Sequence, residues 1–169
     1  SIIDIPRKHY SKTIFDRFNT SDPVLKPSVV AFIENGMKVF ETIAPIKKHC
    51  LIGSILTKQY RKDADLDINL FFEVPPNSRT AAVEKLRKMV SKVNGKNIPG
   101  TEHPVNYYVI ADEPTYKKAN EMADNVYDIA NGVFLKRSSE QEFNAGDYMK
   151  DFTKRVEKID ILKGELNRD

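Results

Sequence analysis

The chain is expected to fold as an α/β (α+β) domain, a mixed β-sheet flanked by helices that ends in a β-hairpin and a helix. Three observations lead there. Stretches whose apolar residues recur at helical spacing alternate with short β-rich runs, the pattern of a sheet covered by helices. The run VYDIANGVFLKR sets Asn131-Gly132, the strongest short hairpin signal, between two β-rich stretches, which adds an antiparallel pair. A length of 169 residues suits one domain, able to bury roughly 70% of the surface its unfolded chain would expose.

Ile2 to Pro23 is broken by Pro, Asn, Asp and Ser around a small apolar patch at Ile14, Phe15 and Phe18, and reads as an irregular or briefly helical lead-in. A helix is expected from Pro27, with Val30, Ile33, Met37, Phe40 and Ile43 at three- and four-residue steps until Pro45. The strand Lys48 to Ile52 follows and ends on the turn Gly53-Ser54. A second strand, Asp65 to Val74, stops at Pro75-Pro76. The next helix, about Arg79 to Val93, has Asn77 or Ser78 as cap, Gly95 just past its end, and an apolar face of Val83, Leu86, Met89, Val90 and Val93. A third strand, Val105 to Ala111, lies between Pro104 and Pro114, and the hairpin comes next. A closing helix is expected from about Asp147, carrying Phe152, Val156, Ile159 and Leu162. The chain ends in LKGELNRD, so charged and abrupt that the natural protein is expected to extend beyond 169.

Hydrophobic residues at 40% and charged residues at 30% are too balanced for a disordered chain. A net charge of +3 permits a basic patch without demanding a nucleic-acid partner, because acids are interspersed among the Lys and Arg. The single cysteine, Cys50, lies in an apolar run and reads as a buried structural thiol. No apolar stretch reaches the roughly 18 residues that would span a bilayer, so the expectation is a soluble, cytoplasmic protein without a membrane partner.

The segment LIGSILTKQYRKDADLDINLFF, Leu51 to Phe72, concentrates the chemistry. In a strand, alternate side chains share a face, so Asp65, Asp67 and Asn69 point one way while Leu66, Ile68 and Leu70 point the other. Acids two positions apart, roughly 6.5 Å along the strand, can converge on a hard divalent cation such as Mg²⁺ or Mn²⁺, which relieves their repulsion. If Ile55 to Lys62 forms a helix, Ser54 is its N-cap, Gly53 lets the backbone approach a ligand, and the first-turn amides can receive a phosphate. Lys58 adds charge there, with Lys47, Lys48 or Arg61 as further candidates. A phosphate cradle beside paired carboxylates describes a nucleoside triphosphate (NTP) with its metal.

An apolar residue, Gly53-Ser54, ten intervening residues, then Asp65-Leu66-Asp67-Ile68 resembles the signature of the DNA polymerase beta nucleotidyltransferase superfamily, over about Leu51 to Ile110. The resemblance implies a mixed sheet, Gly53-Ser54 as the nucleotide-binding turn, and Asp65 and Asp67 as ligands of Mg²⁺ or Mn²⁺ in nucleotidyl transfer. It departs at the third carboxylate, which family members commonly carry on a neighbouring strand. Here that strand reads TEHPVNYYVIADEP, with Asn106 nearest the role. Asn106 brings a carbonyl oxygen but no charge and cannot act as a base. Glu102, Asp112 or Glu113 would substitute in a shifted register, and His103 is a candidate for taking a proton near neutral pH.

The expected activity is therefore transfer of a nucleoside monophosphate from an NTP, ATP first among them, to an acceptor hydroxyl, with release of pyrophosphate. The acceptor is left open among small molecules, proteins and RNA ends. The alternatives are a catalytically weakened nucleotide-binding regulatory module, or an interaction domain whose acids merely solvate a strand. Tyr107 and Tyr108 occupy opposite faces of their strand, as packing residues or as a platform for a base. His9 and His49 lack spaced partners for zinc.

Overall fold

The structure, a computed structural model, describes residues 6–138; the helix expected from about Asp147 lies outside them. The chain order is β1 (Phe15–Asp16), β2 (Val24–Leu25), α1 (Pro27–Glu41), β3 (Ile46–Ile52), β4 (Leu66–Phe72), α2 (Arg79–Val93), β5 (Lys96–Asn97), β6 (Pro104–Ile110), α3 (Glu113–Met122), β7 (Val126–Asp128) and β8 (Val133–Lys136). β1 and β2 form a two-stranded antiparallel sheet, and the others form one sheet in the order β5-β6-β4-β3-β7-β8. Only the β4/β6 pair is parallel in that sheet. The mixed α+β architecture read from the sequence is therefore present.

The lead-in is better ordered than its composition suggests. Tyr10, Ile14, Phe15 and Leu25 all enter the main core, and the β1/β2 pair ties Phe15 to Leu25. α1 starts at Pro27, where a missing N–H costs nothing, and buries Val29, Ile33, Met37 and Phe40. Its buried stripe thus uses Val29 in place of Val30, while Ile43 lies past the helix end and is exposed. α2 has the expected bounds and buries Val83, Leu86 and Val90.

The sheet is covered on both faces, and the two covers differ. Leu51, Leu66, Ile68, Leu70, Val105, Tyr107 and Tyr127 belong to the large core that includes α1 and α2. On the other face, Cys50, Ile52, Ile110 and Val126 pack with Tyr116 and Ala119 of α3. Sequence periodicity gave no helix after Pro114, because so short a helix buries only Tyr116 and Ala119. Its signature lies instead at its start, where Asp112 accepts the Thr115 N–H at 2.9 Å and Pro114 occupies the first turn. The hairpin forms as expected: Gly132 takes φ 68° and its N–H reaches the Asp128 carbonyl at 2.9 Å.

One contact locks α1 to the sheet. The Tyr107 hydroxyl, buried, donates to the Ile33 carbonyl at 2.7 Å, and a Cβ on Gly36 would overlap that hydroxyl. The Asn94 side chain pairs with the Tyr107 backbone from the other side, accepting its N–H at 2.7 Å and donating to its carbonyl at 3.1 Å. Helix propensity alone favours Gly36→Ala by about 1 kcal/mol. Overpacking, and a buried hydroxyl pushed off its acceptor, each cost about 1–3 kcal/mol. Gly36→Ala is therefore expected to lower stability by about 2 kcal/mol, and by less in a Tyr107→Phe background; urea unfolding of both backgrounds checks this, and a stabilised Gly36→Ala would contradict it.

Candidate functional site

The turn and the paired acids meet at one end of the sheet. Asp67 lies beside Ile52 of β3 on one side and Asn106 of β6 on the other. Ile52 is the residue before Gly53, so the pairing brings the turn against the acids. Gly53 takes φ 106° and ψ 179°, a backbone conformation that side chains rarely adopt. A Cβ built there would lie 3.8 Å from Asp67 Oδ2.

The helix expected over Ile55 to Lys62 is reduced to a single 3₁₀ turn, Ser54–Leu56, with Gly53 in the cap position and no capping hydrogen bond from a side chain. Ser54 is therefore not an N-cap. The first-turn amides are drawn into the turn, Leu56 N–H to Gly53 carbonyl at 3.1 Å and Thr57 N–H to Ser54 carbonyl at 2.9 Å. The Thr57 hydroxyl, bonded to the Ser54 carbonyl at 2.8 Å and to the Gln59 N–H at 3.1 Å, diverts the chain from a helix. Any phosphate contact here relies on the exposed edge of the turn, not on a helix terminus.

The acids also differ from one another more than strand alternation implies. Asp65 is exposed, Asp67 half-buried and Asn69 buried, 2% exposed, because α3 covers the far part of this face. Asn69 lies between Cys50 and Tyr108, and its Nδ2 has no hydrogen-bond partner among the described residues.

β6 supplies neutral donors where a third acid was sought. Asn106 Nδ2 donates to Asp65 Oδ2 at 3.1 Å, and the Tyr108 hydroxyl donates to Asp67 Oδ1 at 3.4 Å. Parallel register sets both contacts, since Asn106 and Tyr108 lie on the same face as Asp67. Burial, first, and then the charge and hydrogen bond of Asp67 push the Tyr108 hydroxyl well above the ordinary tyrosine value. It stays a donor at any physiological pH. Tyr107, on the opposite face, packs edge-on to Phe40 in the core.

The alternative third acids go elsewhere: Asp112 caps α3 and Glu102 pairs with Lys62 at 3.4 Å. His103 is buried, and its Nδ1–H donates to the Ala64 carbonyl at 2.7 Å, so it braces the segment that leads into Asp65. That contact gives it a positioning part. Among the cation candidates, Lys58 stays near the turn with its ammonium 5.5 Å from the Tyr10 ring centre. Arg61 pairs with Asp63 at 3.5 Å and Lys47 with Glu73 at 3.6 Å. Lys47 and Lys48 enter β3 at its other end, roughly 16–20 Å from the turn.

Two carboxylates are a hard-oxygen donor set, which suits Mg²⁺ or Mn²⁺ completed by water and phosphate oxygens. Asn106 presents its N–H end to Asp65 and adds no ligand in this arrangement. Among the described residues no cluster of three or more His, Cys, Asp and Glu forms a self-sufficient metal site. A separate cleft of about 800 Å³ lies between α3 and the β7/β8 hairpin, lined by Lys48, Tyr116, Asn120, Asp128 and Leu135 among others; the paired acids do not border it. No helix among the described residues is long and apolar enough to cross a membrane. Comparison with protein-family models, curated proteins and solved structures finds no match for the chain.

Burial holds Tyr108 protonated in the folded chain, whereas an unfolded tyrosine gives up its proton near its ordinary value of about 10. The associated stability is complete below that pH and is lost as pH rises toward the folded value. Urea midpoints measured from pH 8 to 11 should fall at the alkaline end, and fall less steeply in Tyr108→Phe. Equal slopes for the two proteins would contradict the Tyr108–Asp67 arrangement.

Proposed function

We propose that this chain binds a nucleoside triphosphate with a divalent cation and transfers its nucleoside monophosphate to an acceptor hydroxyl, releasing pyrophosphate. The observation that carries the reading is the juxtaposition of the Gly53-Ser54 turn with Asp67, which pairs with the preceding Ile52, beside Asp65 at the same strand end. The spacing of these residues resembles the nucleotidyltransferase signature, and the fold is compatible with it. Asp65 and Asp67 would hold Mg²⁺ or Mn²⁺, which when bound supplies charge neutralisation at the attacking and leaving oxygens.

The chain's own residues do the rest. Gly53 keeps the turn open to phosphate oxygens, and Ser54 offers a hydroxyl beside it. Asn106 and Tyr108 hold the two carboxylates from β6. His103 fixes the approach to β4 through Ala64. Neither Asn106 nor the high-pKa Tyr108 takes a proton from the acceptor, so the hydroxyl's proton leaves to a carboxylate or to water.

The neutral donor at Asn106 favours a second reading, a nucleotide-binding module that regulates a partner without transfer. Pyrophosphate release separates the two readings: the module binds and releases none.

Thermal shifts with ATP, GTP, CTP and UTP, with and without Mg²⁺ or Mn²⁺, test the reading in the wild type and in an Asp65→Asn/Asp67→Asn variant. A ligand at 100 times its Kd stabilises by about 2.7 kcal/mol, and a domain near this size shifts by roughly 2–4 °C per kcal/mol. The expected result is a metal-dependent shift of several degrees, lost in the variant. No shift with any nucleotide would contradict nucleotide binding.

A further inference from the structure

Over the whole chain acids offset most of the Lys and Arg, but one segment breaks that balance. Between Glu73 and Glu102 the only acid is Glu84, against six cations, Arg79, Lys85, Arg87, Lys88, Lys92 and Lys96. In a chain whose net charge is +3, an excess that large leaves the remainder net acidic. The segment comprises α2 and the short strand β5 that follows it.

The helix sorts these charges. At 3.6 residues per turn Lys85, Lys88 and Lys92 fall within about 60° of one another, on the side opposite the buried Val83, Leu86 and Val90. All three are exposed, and so is Lys96, which carries the charge past the C-terminal end of α2. The face is held in place, because Asn94 at the helix end is bonded to the Tyr107 backbone. Lys88 pairs with Glu84 at 3.4 Å, whereas the ammonium groups of Lys85, Lys92 and Lys96 have no partner among the described residues. Arg87 lies off this line and has a partner of its own.

Helix stability does not account for the row. Like charges three and four residues apart repel, and Arg79 puts a cation on the first residue of α2, where the dipole disfavours it and no acid in the first turn offsets it. Only Lys92, in the last turn, suits the dipole. A polyanion laid along the face relieves the repulsion. What the face lacks narrows that polyanion further. Arg79 to Asn97 contains no aromatic residue, so there is no platform for unstacked bases, and none of the exposed large apolar residues lies on α2, so nothing there would enter a bilayer. Lysines are point charges that position a phosphate backbone without reading bases.

We propose that the outer face of α2, formed by Lys85, Lys88 and Lys92 with Lys96 beyond its end, docks on the phosphate backbone of a nucleic-acid duplex without reading its sequence. The proposal stands apart from the nucleotide reading, since it needs neither the Gly53 turn nor the paired acids.

Fluorescence anisotropy with a labelled duplex of about 20 base pairs, once as DNA and once as RNA, measured from about 50 to 200 mM salt, tests it. The variants are Lys85→Gln, the triple Lys85→Gln/Lys88→Gln/Lys92→Gln, the same triple to Arg, and Lys117→Gln on α3 as control; Gln and Arg keep the helix propensity of Lys. For wild type the logarithm of the binding constant is expected to fall against the logarithm of salt with a slope of roughly −3 to −4, about one contact per lysine. The slope should shrink by about one in Lys85→Gln and about three in the triple Gln variant, whose affinity at the lowest salt falls at least about tenfold. The Arg triple and Lys117→Gln should bind as wild type does. A preference between the two duplexes, with this pattern intact, identifies which one supplies the backbone. The proposal is overturned if neither duplex binds, if the triple Gln variant keeps the wild-type slope, or if a single strand of the same length binds more tightly than both duplexes. It is also overturned if these lysines govern binding to phosphatidylserine vesicles but to neither duplex.

Discussion

Everything at the candidate site depends on the register in which β4 lies parallel with β6. In that register Asp67 is level with Asn106 and Asn69 with Tyr108, so Asp67 of β4 and Asp65 just before it each find a neutral donor on β6. A slip of one residue would turn Asp67 into the core and Leu66 and Ile68 out of it. The register is fixed from the core side. Tyr107 is tied to α1 through Ile33, which needs the missing Cβ of Gly36, and to the end of α2 through Asn94. Packing on one face of the sheet thereby determines chemistry on the other.

That chemistry is graded along the strands. α3 seals the sheet over Cys50 and Ile110 and stops short of Asp65, leaving an exposed acid just before β4, then a half-buried acid and a buried amide along it. Cys50 shows what sealing does: burial raises its thiol pKa, and the Tyr116 hydroxyl 2.7 Å from Sγ only partly offsets this. A thiol so held is structural. The open end of the same face, where Gly53 meets Asp67, stays in reach of solvent and is where the proposed cation and phosphates would bind.

Most of the elements were legible because they follow local rules. The α2 bounds come from Pro75-Pro76 before it and Gly95 after, and the hairpin from Asn131-Gly132. The juxtaposition of Gly53 with Asp67 was legible too, as a spacing rather than a distance. Three things were not. α3 is short and buries two residues, so its periodicity is weak and only its Asp112 cap marks it. The segment after Ser54 has helix-compatible spacing, yet the Thr57 side chain diverts it. The Arg137–Tyr10 contact joins residues 127 apart in sequence, beyond any periodicity or turn rule. Asn69 is an intermediate case: alternation correctly gave its face, but its burial depends on the helix that was not foreseen.

The central claim is that the Gly53 turn and the Asp65/Asp67 pair form one site that takes a divalent cation with a nucleotide. Paramagnetic broadening of backbone amide resonances by substoichiometric Mn²⁺, with and without ATP, tests it most directly. The account predicts broadening centred on Gly53, Ser54, Asp65 to Ile68 and Asn106, extending toward Lys58 when ATP is present, and sparing Lys47 and α3. Broadening centred on Glu113, Glu121 and Asp128 around the α3 cleft, or none at all, would contradict it.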